Sequence, residues 1–409
     1  MKLLVVDTLE AAREKMMKAM GSWQMESEKV WISEALGRVL AENVYSRNPV
    51  PDFRRSSVDG YAVRAKDTQG ASESLPAFLE VVEEVFMGEE ARSVIISGQC
   101  AYVPTGGMIP EGADAMVMVE YCESFDEDNI AVYDAVSPGR NMVGIGEDMQ
   151  ADTMLLSRGV VVRAQEIGAL ASAGIRIVSV YKEMRLTIIS TGDELVDAEN
   201  LPGKGQIYDI NTCALKALAE KHGFKVVRTM VLRDDEALLK EAVRDAMQIS
   251  DMVVVSGGSS QGKKDVTAKV IDELGTPGVF THGLALKPGK PTIGGYDTES
   301  ETMLIGLPGH PVAAMMVFEL ICVWVLEELT GKKKRKEIRA SMETNVASAP
   351  GKATCQLVEL LENEEGYVAR PIFGKSGLIT TLTRADGYTI IDVNKEGLKP
   401  GEVVKVQLF

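Results

Sequence analysis

Between residues 184 and 330, five short aliphatic runs alternate with four helical patterns, and this alternation constrains the fold more than any other feature. The runs are Leu186–Ile189, Val226–Leu232, Met252–Val255, Leu284–Leu286 and Met303–Ile305; the helical patterns lie near 211–222, 235–248, 266–274 and 311–329. Strands of unbroken Val and Ile need apolar cover on both faces. Alternating helices supply it, so the pattern predicts an α/β domain with a mostly parallel sheet. The apolar stretch Val312–Leu326 carries Glu319 and falls short of the ~20 residues that span a bilayer. It reads as a core helix.

The rest of the chain is organised differently. Asp7-Thr8-Leu9-Glu10 opens a helix over 7–20, with Leu9, Ala12, Met16 and Ala19/Met20 on one face. A second helical pattern runs from Ser33 to Ala41, and Pro49–Tyr61 reads as a loop. From 61 to 138, runs such as Leu79–Phe86 and Ala115–Val119 are broken by Gly, Pro and Asp, which predicts a small β-rich module. Ala164–Ala173 is a further helix. The tail has strand-like Cys355–Leu361, Tyr388–Val393 and Val403–Leu408, expected to form a small β barrel. The expected division is a discontinuous N-terminal domain (1–48 and 139–183), an inserted β module (49–138), the α/β domain (184–332) and the barrel (333–409).

With 44 Lys+Arg against 60 Asp+Glu, the chain carries a net charge of −16. That excludes a general nucleic-acid binder and an anionic membrane surface as partners, since both need clustered cations. Cys100, Cys122, Cys213, Cys322 and Cys355 are scattered, without the spacing of a zinc site or disulfide framework, and read as buried free thiols. The first residues do not form a signal peptide. A soluble cytoplasmic protein is expected.

Four loops follow predicted strands: Ser190-Thr191-Gly192-Asp193-Glu194, Ser256 to Asp265, Lys287 to Pro291, and Leu307 to Pro311. Ligands of open α/β sheets bind outside the carboxyl ends of the strands, so all four should line one crevice. In the second loop, Gly257-Gly258-Ser259-Ser260-Gln261-Gly262 lets backbone amides approach an anion before the next helix. It lacks Walker spacing, and no dinucleotide fingerprint follows the first strand. Asp193 and Glu194 stand there instead; they would repel a pyrophosphate unless Mg²⁺ intervenes. Asp193 is equally read as the cap of a turn. From Ser256 to Pro291, five lysines face three acids, a local excess of positive charge. Lys287 and Lys290, flanked by prolines, are the better ligand candidates. Asp265 either caps the following helix or serves as metal ligand or base. His310 is placed to bond a phosphate, whereas His222 and His282 read as structural. Asp59-Gly60 and Thr105-Gly106 are ordinary turns by themselves.

Taken together, these segments resemble the molybdopterin molybdenumtransferase family, the MoeA and gephyrin E-domain group. The matching residues are Ser57 to Ala62, Thr105-Gly106, Pro110 to Asp114, Gly146-Glu147-Asp148, Ser190 to Leu195, Gly205 to Asn211, Ser256 to Gly262, Lys287 to Pro291, and Leu307 to Pro311. They occur in the family's order along nearly the whole chain. The resemblance implies four domains and a homodimer whose site joins one subunit's crevice to the partner's β module. It implies a reaction in which adenylylated molybdopterin and molybdate yield metallated cofactor and AMP with Mg²⁺. Asp59, Glu194 and Asp265 would be catalytic, and Asp193, Glu194 and Asp148 would hold the metal. Thr105, Gly257, Gly258, Ser259, Ser260, Gly262, Lys287, Lys290, Pro308, Gly309, His310 and Pro311 would bind substrate. A molybdopterin adenylyltransferase and recipient molybdoenzymes are the implied protein partners.

This chain departs from the family pattern at His310, where Asn is more usual, at Lys263, where an acid is usual, and after Thr105, where Gly-Gly-Met replaces Gly-Ala-Pro. It looks like the gephyrin-like branch. Three alternatives therefore stand: a tungsten-specific insertase, a catalytically impaired cofactor-binding or scaffold paralogue, and the sister adenylyltransferase. The last resembles only the α/β part, so the segments around Asp59 and Thr105 argue against it.

Overall fold

The computed structural model describes residues 6–257, 266–333, 335–348 and 350–409. Its central sheet has six strands in the order Phe224–Leu232, Met184–Thr191, Met252–Gly257, Thr302–Leu307, Ile293–Asp297 and Pro277–His282. The first four pair in parallel, and the last two join antiparallel. Alternation along each strand feeds two cores. Leu186, Ile188, Val254 and Ile305 pack with helices Ile210–His222 and Pro311–Val317, while Ile189, Val253, Val255 and Leu304 pack with Glu236–Met247 and Val266–Leu274. Each such side chain contributes ~1.5–3 kcal/mol by leaving water.

Helix Leu9–Met20 starts at Thr8, whose hydroxyl oxygen accepts from the Ala11 amide at 3.1 Å. Its stripe of Leu9, Ala12, Met16 and Met20 packs into the first of those cores, so the early chain docks on the α/β domain. The chain then turns away. Ser27–Trp31 pairs with Ile177–Tyr181, Val44–Tyr45 with Met154–Leu156, and Arg55–Ser56 with Met142–Val143. A six-stranded sheet between residues 60 and 132 lies inside these pairings and includes Gly60–Val63, Gln99–Val103 and Ala115–Met118. In the tail, Ala353–Asn363, Gly366–Pro371, Glu337–Met342, Val403–Leu408 and Gly387–Ile391 pair in turn, and the last closes onto the first. This is the closed barrel.

Some expectations fail. Ser33–Ala41 is not a helix: one 3₁₀ turn, Ile32–Glu34, gives way to Gly37 at φ +78°, and Val39 and Leu40 bridge to Val161 and Val180. Its apolar spacing mimics a helical face, but Leu40 is buried by pairing across the chain while Leu36 stays exposed. Leu284–Leu286 is not a strand of the α/β sheet. Leu284 bridges to Asp7, and Leu286–Lys287 runs parallel to Ala353–Thr354 of the barrel. Both leucines are buried, and a run of three says nothing about which sheet receives it. Cys213 is exposed, unlike buried Cys100, Cys322 and Cys355.

The helical stretch from Pro311 to Thr330 passes through a π segment, Phe318–Val323. Among the described residues no helix is long and apolar enough to cross a membrane. Buried Glu319 lies 2.9 Å from His222 Nε2 and 2.8 Å from Arg335, which fastens the linker entering the barrel. Burial pushes this carboxyl up, but the His222 and Arg335 contacts outweigh it and hold it below its ordinary range.

Candidate active site

The carboxyl ends of the central strands and one side of the barrel enclose a crevice of about 1170 Å³. Three of its walls are predicted loops: Glu194 after the first strand, Lys287 to Pro291, and Pro308, Gly309, His310 and Pro311. Gly257, at the end of Met252–Gly257, also lines it. Its φ is +124°, and a Cβ there would sit 2.2 Å from Thr191 O, so only glycine lets the two strand ends close. Gly258, Ser259, Ser260, Gly262, Lys263 and Asp265 lie outside the described residues.

The crevice is held by buried polar contacts from the Gly205–Asn211 segment. Asp209 caps helix Ile210–His222: its Oδ1 accepts from the amides of Asn211 and Thr212 and from Ser190 Oγ at 3.0–3.2 Å. Its Oδ2 is buried without a hydrogen-bond partner among the described residues. Asn211 Nδ2 donates to Ser256 Oγ at 2.7 Å and to Gly309 O at 2.8 Å, pinning one loop to another. Such buried, satisfied amides fix loop geometry more firmly than exposed ones.

Charge in the crevice is divided. Glu194, Asp209 and Asp234 come from segments that follow the two adjoining strands Met184–Thr191 and Phe224–Leu232. Lys287 and Lys290 come from the loop at the barrel seam, and Lys352 and Lys375 from the barrel itself. Ser376 of the barrel bonds to His310 Nδ1 at 3.0 Å. Among the described residues no group of three acids, histidines or cysteines can hold a metal unaided.

Other predicted residues are placed elsewhere. Asp193 does not line the crevice; its Oδ1 accepts from the Asp234 amide at 3.2 Å and so steadies the loop carrying Asp234. Asp59 and Thr105 meet in the β module, where Asp59 Oδ1 accepts from the Thr105 amide at 2.7 Å and its hydroxyl at 3.0 Å. These bonds, the backbone one foremost, hold the exposed Asp59 carboxyl below its ordinary range. Asp148 is exposed on a turn tied to Val50 O. Neither Asp59, Thr105 nor Asp148 lines the crevice of its own chain.

Sequence reasoning missed Asp234, Lys352, Lys375 and Ser376, and it gave Asp209 no role beyond its place in the matching Gly205–Asn211 segment. The strand-end rule used for four loops applies equally to Arg233-Asp234-Asp235 after Val226–Leu232, and an Asp before a helical pattern signals the Asp209 cap. The barrel lysines carry no local signal.

Three family models cover the chain: the MoeA N-terminal region (domain I and II) at residues 7–174, a probable molybdopterin binding domain at 187–328, and the MoeA C-terminal region (domain IV) at 339–409. A putative molybdopterin biosynthesis protein of Methanocaldococcus jannaschii is 32% identical over 98% of both chains. The molybdopterin molybdenumtransferase of Haemophilus influenzae is 31% identical over 98% of both. A crystal structure of the molybdopterin biosynthesis MoeA protein of Pyrococcus horikoshii OT3 superposes with a TM-score of 0.83 at 30% identity, covering 99% of this chain and 100% of that one. With its domains, their order and its full length all matched, the chain belongs to the molybdopterin molybdenumtransferase (MoeA) family and is an enzyme of molybdenum cofactor biosynthesis.

Proposed function

We propose that this enzyme places molybdenum from molybdate on adenylylated molybdopterin and releases AMP, working as a cytoplasmic homodimer. The observation that carries this reading is the divided charge of the crevice. A substrate with a phosphoanhydride needs a cation between its phosphates and protein carboxylates, and a free oxyanion needs ammonium groups; both halves are present. Mg²⁺ fits the carboxylate side. Glu194 and Asp234 would hold it together with phosphate oxygens, as Mg²⁺ commonly shares one or two carboxylates with a substrate. When bound it would neutralise charge developing on the cleaved phosphoanhydride. Asp209 keeps the helix start in place, Asp193 steadies Asp234, and Asp265 would act as acid or base.

Lys287 and Lys290, with Lys352 and Lys375 of the barrel, would hold molybdate. The Gly-rich loop, Gly257 to Gly262, would take the phosphates, and the Pro308–Pro311 loop would close over the substrate. Asp59, Thr105 and Asp148 would reach the crevice from the partner subunit, which accounts for an oriented carboxylate, Asp59, that does not line the crevice of its own chain. An adenylyltransferase would supply the substrate, and molybdoenzymes would receive the product.

The test is AMP release from adenylylated molybdopterin with Mg²⁺, titrating molybdate and tungstate separately. Molybdate-dependent release with metallated cofactor is expected. Preference for tungstate would reassign the metal. Tight binding without either product would make the chain an impaired paralogue, and absence of binding would sink the reading.

A further inference from the structure

His310 precedes helix Pro311–Val317 in extended backbone, and its side chain makes no capping bond. The residue after it is proline, so the first helical position offers no amide to cap. The ring is engaged by the barrel instead. Ser376 Oγ lies 3.0 Å from His310 Nδ1, and Ser376 O accepts from the Val312 amide at 3.1 Å. A Cβ added at Gly377 would lie 3.7 Å from His310 Cδ2, so the imidazole also packs on that glycine. Ser376 and Gly377 are the central residues of a turn closed by the Leu378 amide, which donates to Lys375 O at 3.0 Å. The loop after Thr302–Leu307 thus grips the middle of a barrel turn whose first residue is Lys375.

Lys375 is exposed and lines the crevice. A lysine stem is flexible, so where its ammonium stands depends on where the turn beneath it is held. The barrel meets the crevice at a second seam, where Leu286–Lys287 pairs with Ala353–Thr354 beside Lys352. That seam is a backbone ladder and does not depend on side chains. At the Lys375 seam a side chain takes part, and it belongs to His310. We propose that His310 is a positioning residue of the oxyanion site: it fixes the Lys375 turn against the crevice and does not itself bond the substrate. The proposal deepens the transferase reading and rests on its placement of molybdate among the lysines. It also accounts for the departure from the family pattern at this position. The amide group of Asn stands where Nδ1 stands in histidine, and that of Gln stands where Nε2 does, so the more usual Asn reaches the same serine.

The experiment uses the full-length protein and two readouts. Hydrogen exchange reads the turn directly: His310→Ala should speed exchange of the Leu378 amide by about 10-fold or more. His310→Asn should restore most of that protection, and His310→Gln should not. Calorimetric titration of molybdate reads the consequence. Lys375→Ala should weaken binding by about 10- to 100-fold, and His310→Ala by about 3- to 10-fold. The double variant should bind no more weakly than Lys375→Ala alone, because a residue that acts only through Lys375 then has nothing left to position. Effects that multiply, or rescue by Gln and not by Asn, would mean that the ring bonds the ligand through Nε2, and either result overturns the proposal. Unchanged exchange at Leu378 in His310→Ala overturns it whatever the affinities. Ser376→Ala removes the tether from the barrel side and should reproduce every effect of His310→Ala; its failure to do so overturns the proposal as well. AMP release is measured in parallel. Its absence, with the exchange and binding results as expected, would overturn only the transferase reading. Unchanged molybdate affinity in Lys375→Ala would overturn the placement of the oxyanion and the proposal with it.

Discussion

The crevice and the Asp59 turn are built by opposite means. In the crevice, buried Asp209 and Asn211 tie three segments together, and a second domain closes one side with its own lysines. The Asp59 carboxylate stands exposed on a turn, and among the described residues its bonds come from Thr105 alone. Yet that turn is just as rigidly made. Gly60 pairs with Val103 and Met118, and a Cβ on it would fall 1.9 Å from Val117 O. Rigid backbone around an exposed, pre-oriented carboxylate is what a contact to another molecule requires, because little ordering entropy remains to be lost. The crevice resembles a finished pocket, and the turn resembles a tool held out of it.

The largest effect should come from breaking both regions at once. Asp59→Ala and Glu194→Ala should each lower AMP release by about 10²- to 10³-fold, as loss of a charge-stabilising group does. Mixed and exchanged, the two variants should recover about a quarter of wild-type activity, because half the dimers are mixed and each holds one intact site of two. Absence of recovery despite confirmed subunit exchange would show that the two regions do not meet.

Two glycine substitutions sharpen the comparison next. Gly60→Ala and Gly257→Ala both push a methyl group into a strand backbone, and each should destabilise its own unit by about 2 kcal/mol or more. Hydrogen exchange should place the loss between residues 60 and 132 for the first and in the α/β sheet for the second. A loss spread over both units in either variant would mean that the regions are coupled within one chain. A smaller effect is expected from Asp209→Asn. An amide still caps a helix, so stability should change by less than about 1 kcal/mol, and Mg²⁺-dependent AMP release should change little. A large loss of release would give Asp209 a role beyond the cap.

How far each region can be read from sequence follows from the same contrast. Gly-Pro loops announce themselves through turn chemistry, and the strand-end rule places those that follow true strands of the sheet, while Lys287–Pro291 reaches the crevice from the barrel seam instead. The Leu9–Met20 and Ala164–Ser172 helices follow their apolar spacing. Ser33–Ala41 has that spacing too, but cross-chain pairing of Val39 and Leu40 overrides local preference. Lys352 reaches the crevice where Leu286–Lys287 joins the barrel, and Lys375 where its neighbour Ser376 bonds His310 and Val312. That juxtaposition is a property of tertiary contact, so no local pattern records it. Asp59 was legible only through family resemblance; by physics alone an Asp-Gly pair is a turn, and here it is indeed a turn that also carries an oriented carboxylate.

The smallest expected effect probes that orientation. Asp59 is held ionised by two donors on Thr105, the amide contributing more than the hydroxyl. Thr105→Val removes the hydroxyl and keeps both the amide and the side-chain shape. The Asp59 carboxyl should then move part of the way back toward its ordinary range. A carboxylate with a depressed pKa acts above that pKa and is lost as pH falls through it. If ionised Asp59 is needed at the partner's crevice, the acid limb of the AMP-release profile should shift to higher pH in Thr105→Val, while the rate at neutral pH changes little. The same substitution should leave molybdate affinity untouched, because the lysines proposed to hold the oxyanion lie in the other region. An acid limb that stays in place would show that another group sets it. A changed molybdate affinity would show that the turn and the oxyanion side of the crevice are linked, and the division between the two regions would fail.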